Sequence, residues 1–201
     1  MSRVVLESVV RSASSSLSEA LHWYWPAGGQ NEIAERNLAL HMSGALQRAG
    51  FHVYGEVSLG EDNAGRLDLV GMSGATKTSV IVECKRLINS TGAAGMTEDV
   101  RRIRRYVPRV GDEFWHPELP GYTEMRRFGI VAATTWNREY ANWFLSGEER
   151  GDPSEEFRAL WKEVGRGATW GADVIQSFVR PKVMDDQQCS LHWLVYCLFE
   201  L

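Results

Sequence analysis

Gly65-Arg66-Leu67-Asp68-Leu69-Val70-Gly71 and Ser79-Val80-Ile81-Val82-Glu83-Cys84-Lys85-Arg86 are the stretches on which the fold of this chain turns. Both are short, aliphatic or β-branched, and bounded by Gly, Ser or Thr, so both read as β-strands. An apolar strand carries charge at its centre only where something compensates it, because burying an unpaired charge is costly. Glu83 and Lys85 are two apart and share one face of their strand. Pairing the two strands as a hairpin brings Asp68 beside Glu83. Two carboxylates at one place repel unless a cation lies between them. Hard divalent ions such as Mg2+ take oxygen ligands of this kind. A neighbouring lysine can stabilise charge or orient a water near the metal.

Upstream, the run from Asn31 to Ala49 reads as a helix that stops near Gly50. Leu38, Met42, Ala45, Leu46 and Ala49 recur at helical spacing and form one apolar stripe. Glu35 lies on that stripe, three before Leu38 and seven before Met42. A carboxylate on the core-facing side of a helix needs a partner. Glu32, one turn earlier, is the second choice. Residues 52–59 then read as a strand that precedes the Asp68 strand.

Aspartate, a gap, then Glu-x-Lys on the next strand resembles the PD-(D/E)XK nuclease superfamily, also called restriction-endonuclease-like. A glutamate on a helix before the first strand belongs to the same pattern. Leu67 stands where the proline that names the motif would be. The resemblance covers about residues 30–136. It implies an α/β fold: a restriction-endonuclease-like core with a central mixed β-sheet flanked by helices, and extra C-terminal helices and strands. It also implies a metal-dependent nuclease that hydrolyses phosphodiester bonds, in DNA, by metal-activated water. Glu35, Asp68, Glu83 and Lys85 would be the catalytic set. Asp68, Glu83, the backbone carbonyl of Cys84, and Glu35 would hold Mg2+ or Mn2+. The alternative is a catalytically inactive module of the same fold that binds nucleic acid or a protein partner.

Composition bounds these readings. The chain has 201 residues, the usual size of one domain, and 44% of them are hydrophobic, enough for a substantial core. The net charge is −4, whereas nucleic-acid binders usually carry excess Lys and Arg. The positive charge is uneven, with Arg101, Arg102, Arg104, Arg105 and Arg109 crowded together. Arg101, Arg102 and Arg105 are candidate phosphate contacts. The other reading makes them a solvated helix face paired with Glu98 and Asp99. A homodimer or a targeting partner would supply recognition that the chain itself lacks.

Three cysteines, Cys84, Cys189 and Cys197, form neither a disulfide framework nor a zinc site, so a cytoplasmic location is expected. No run reaches the length of a membrane span. The five histidines stand at no metal-ligand spacing, and no Gly-x-Ser-x-Gly elbow or dinucleotide fingerprint is present.

The remaining elements follow from pattern. Residues 2–24 read as a helix, and residues 89–96 as a small-residue loop, placed after the Lys85 strand either to approach substrate or simply as a flexible connection. A helix over about 97–107 has Glu98 and Asp99 in its first turn. Phe128 to Thr134 reads as a strand covered on both faces. Asn137 to Leu145 is a helix, and Pro153 opens another. Residues 174–180 read as a strand. Leu191 to Phe199 is buried, as strand or helix. Of the eight tryptophans, Trp23, Trp25 and Trp115 fall in loop-like stretches where they would either stack on bases or fill the core.

Overall fold

The computed structural model describes residues 3–23, 33–58, 65–106, 125–146, 154–176 and 191–201. Glu32, Trp25, Arg109, Trp115, Pro153 and Cys189 lie outside them. The chain is α/β. Six strands form one mixed sheet, with helices on both faces.

The elements in order are α1 (Arg3–Trp23), α2 (Glu35–Arg48), β1 (His52–Ser58), β2 (Arg66–Ser73), β3 (Thr78–Arg86) and α3 (Ser90–Arg105). Then come β4 (Arg126–Thr135), α4 (Arg138–Leu145), α5 (Glu155–Val164), β5 (Thr169–Gln176) and β6 (Leu191–Glu200). The sheet order is β1-β2-β3-β4-β6-β5. Only β3 and β4 run parallel, and α3 is their crossover; every other pair is antiparallel. A parallel pair needs a long connection of this kind, whereas β2 and β3 join through a tight turn.

Leu6, Val10, Leu17, Leu38, Met42 and Leu46 from α1 and α2 cover one face of the sheet. They pack on Leu69, Val80, Val82, Cys84, Phe128, Ile130 and Leu198. The other face, carrying Val70, Ile81, Val131 and Val195, meets α3, α4 and α5. Strand β4 is buried on both sides, as its unbroken apolar run requires. Trp143, Phe144, Phe157 and Trp170 form an aromatic cluster on the second face, with Trp143 and Phe157 centroids 4.7 Å apart. These tryptophans therefore fill the core. Trp23 is not in a loop: it ends α1 and is exposed.

Two further expectations are corrected. Residues 90–96 are not a loop but the first two turns of α3, so Glu98 and Asp99 lie mid-helix. Asn89 makes this possible: its side-chain oxygen accepts the Gly92 N–H at 3.2 Å, an N-cap that satisfies an otherwise orphaned donor. The late strand begins at Thr169, earlier than its apolar residues suggest, and the described part ends at Gln176. The terminal segment, open between strand and helix on periodicity, is strand β6.

Candidate active site and metal centre

The β2–β3 ladder runs from Ser73↔Thr78 to Leu69↔Val82 and stops there. The next residue of β2 is Asp68. Leu69 belongs to the α1/α2 side of the core, while Leu67 belongs to the α3 side. Residues two apart in a regular strand share a face, so the strand changes phase at Asp68. Opposite Asp68 in β1, between Gly55↔Leu69 and Val57↔Leu67, Glu56 has φ of 53°. A positive φ at a non-glycine residue is strained and is found where surrounding structure enforces it. The distortion leaves the Asp68 carboxylate facing β3, where Oδ2 accepts the Cys84 N–H at 2.7 Å.

Beyond Val82 the β3 edge has lost its partner strand, and carboxylates replace it. Asp68 takes the Cys84 N–H, and Glu35 Oε1 takes the Arg86 N–H at 3.1 Å. Glu35 is the first residue of α2 and half-buried. Within a strand, the N–H and C=O of one residue point to the same edge. The Cys84 carbonyl therefore faces the side on which Asp68 sits. The Cys84 thiol lies in the α1/α2 core. Its pKa is pushed well up, first by burial and then by the surrounding charges of Asp68, Glu83, Glu35 and Asp99.

Glu83 and Lys85 project to the opposite face, toward α3. Glu83 is 1% exposed. Its carboxyl is pushed up to about 8, first by burial and then by the charge of Asp99 and, more weakly, Asp68; Arg102 and Lys85 oppose the shift. Asp99, on α3, is equally buried, and burial raises its pKa against the pull of Lys85 and Arg102. Lys85 Nζ lies 3.5 Å from Asp99 Oδ2. Arg102 forms an ion pair and hydrogen bond with Asp99 Oδ1, and its Nε lies 3.2 Å from Glu83 Oε1. That last contact is out of line for a hydrogen bond. Glu83 Oε1 is buried with no hydrogen-bond partner.

The structure thus gathers Asp68, Glu83 and Lys85 around the end of the β2–β3 pairing, with Glu35 one step along the same β3 edge. It adds Asp99 and Arg102, which the sequence pattern left outside the acidic site. The signal for Asp99 was present: it lies three after Met96 and four before Ile103, on the apolar stripe of its helix. Of the arginine candidates, Arg102 belongs to the site. Arg101 pairs with Glu98 and with Glu163 of α5. Arg105 is exposed at the end of α3.

Among the described residues, no three His, Cys, Asp or Glu side chains converge closely enough to hold an ion alone. The donor set nevertheless suits a hard cation. Its donors are oxygens, and the unsatisfied Glu83 Oε1 is an acceptor that a cation would fill. Mg2+ is commonly held by one or two carboxylates and keeps several waters.

No protein-family model, curated protein or solved structure matches the chain. Among the described residues, no helix is long and apolar enough to cross a membrane.

Proposed function

We propose that the chain is a metal-dependent nuclease of the PD-(D/E)XK type that hydrolyses phosphodiester bonds in DNA. One observation carries the reading. The β2–β3 pairing ends at Leu69↔Val82, so that Asp68 meets the Cys84 amide while buried Glu83 and Lys85 project from the same short stretch of β3. The order α2-β1-β2-β3-α3-β4 supports it, with antiparallel strands first and a helical crossover after the lysine.

Asp68 and Glu83 would hold Mg2+ or Mn2+, with the Cys84 carbonyl beside them. The ion would supply Lewis acidity and an acidified water. Lys85 orients the attacking water and stabilises charge on the phosphate. Glu35 acts from the adjacent edge through water. The protein's contribution is mainly positioning and preorganised charge. A homodimer or targeting partner supplies sequence choice.

A second reading has its own observation. Arg102 already stands against Glu83 and Asp99, and Lys85 against Asp99, within the protein. A module of this fold that binds nucleic acid without turnover would show the same pairing.

Plasmid, linear duplex and single-stranded DNA incubated with Mg2+ or Mn2+ test the proposal. Lys85→Ala should lower cleavage by roughly a hundredfold or more and spare the fold; an unchanged rate overturns the assignment. Calorimetry should show a divalent-ion heat that Asp68→Asn abolishes. DNA binding without that heat supports the second reading.

A further inference from the structure

We propose that Arg102 is the resident cationic neighbour of Glu83, anchored on Asp99, that a divalent cation displaces and that thereby sets the affinity of the site. The inference rests on the metal-dependent reading above. Its ground is an asymmetry in how one guanidinium meets two buried carboxylates.

At the Asp99 end, Arg102 Nη2 donates a hydrogen bond to Oδ1. At the Glu83 end, Nε stands 3.2 Å from Oε1, yet that oxygen has no hydrogen-bond partner. Glu83 receives charge from Arg102 but no directed bond. Charge without a hydrogen bond is the weaker attachment. Drawing Arg102 away from Glu83 breaks no hydrogen bond there and leaves the Asp99 bond in place.

Asp99 is suited to be the fixed end. It is buried, it lies three residues before Arg102 on the same helix, and Lys85 stands 3.5 Å from its other oxygen. Neither acid would remain a bare buried charge in either state, because a buried carboxylate without a cation is strongly disfavoured. Arg102 itself is part-exposed, with 28% of its side chain accessible, so it can move without unpacking the core. A guanidinium and a divalent ion a few ångströms apart repel strongly in a partly buried site, so both cannot share Glu83 at no cost. Arg102 therefore keeps the cation-free site intact and weakens the ion that replaces it. Asp99 and Arg102 are positioning residues in this scheme.

Mn2+ alone is the probe. In calorimetry, Arg102→Gln should bind Mn2+ more tightly than the wild type, on the order of tenfold. Arg102→Lys, which keeps the charge, should stay near the wild-type affinity. Equal or weaker binding by Arg102→Gln overturns the inference. A second measurement uses the unmodified protein, so the result survives any folding defect in the variant. Arginine-directed dicarbonyl labelling, mapped by mass spectrometry, should modify Arg102 several-fold faster at saturating Mn2+, with Arg105 unchanged. Equal Arg102 labelling with and without Mn2+ overturns the inference alone, provided the wild type shows a Mn2+ heat. Absence of any Mn2+ heat in the wild type overturns it together with the metal-dependent reading.

Discussion

Burial and two neighbouring carboxylates raise the Glu83 carboxyl to about 8 from an ordinary 4.5. Between those values the folded chain keeps a proton that the unfolded chain releases. The unfolded state then binds fewer protons, so stability falls as pH rises through this window. The stabilising contribution is complete below 4.5 and gone above about 8. Each pH unit of that window is worth about 1.4 kcal/mol, so the whole effect is a few kcal/mol. Gln reproduces the protonated form without the titration. Glu83→Gln should therefore match the wild type near pH 5 and exceed it by about 2–4 kcal/mol near pH 8. Chemical denaturation of the metal-free proteins at both pH values measures this, and parallel curves would reject it. A buried carboxylate that destabilises its own fold is the kind of residue a sequence reveals readily. Glu83, Lys85 and Asp68 were legible because charge interrupts apolar strand runs. Asp99 was not, because Glu98 and the arginines around it make a charge run, and a charge run ordinarily marks a solvated face. Helical phase against Met96 and Ile103 carries the opposite message, and packing obeys the phase.

Element boundaries were less legible than element order, and α3 shows why. Ser90 to Gly95 sets two glycines, a serine and a threonine against two alanines, so local propensity argues for a loop. The Asn89 cap and the burial of Ala93 and Met96 override it. Gly92 also has a steric role: a Cβ there would lie 3.1 Å from the Arg86 carbonyl oxygen and from Leu87, where the helix leaves β3. The phase change of β2 at Asp68 was hidden for another reason. It arises from pairing with β1 on one side and loss of pairing with β3 on the other, and neither is a local property of the sequence. The same close packing makes Gly129 of β4 a test of how α3 is held. A Cβ at Gly129 would lie 2.5 Å from the Phe199 ring of β6 and 2.9 Å from Ile103 of α3. Ile103 directly follows Arg102, so the side chain that yields adjoins the site. Gly129→Ala should lose about 1–3 kcal/mol by overpacking. Denaturant midpoints measure the loss, and an unchanged midpoint would show that α3 does not press on β4 as described.

Each central strand feeds both halves of the core. Val82 and Cys84 pack toward α1 and α2, while Ile81 in the same strand packs toward α3; β4 splits Ile130 and Val131 in the same way. The chain's first helix also lies on its last strands, since α1 shares a cluster with Ile175, Leu194, Tyr196 and Leu198. The two faces are therefore coupled through the sheet, and damage to one should weaken the other. The sequence made the core strands plain but not this closure, because contact between α1 and β5–β6 joins the two ends of the chain and leaves no periodic trace in either. Leu17, 1% exposed in α1, tests the coupling. Leu17→Ala removes buried methylenes and leaves a cavity, a loss of about 2–5 kcal/mol. At about 2–4 °C per kcal/mol for a chain of this size, melting should fall by roughly 5–15 °C. The aromatic cluster of Trp143, Phe157 and Trp170 lies on the opposite face and reports by near-ultraviolet dichroism. Its transition should move down together with the far-ultraviolet one, as a cooperative unit requires. If the aromatic signal kept its wild-type midpoint while the helical signal melted early, the two faces would be independent, and the sheet would not transmit packing from α1 to the wall of the site.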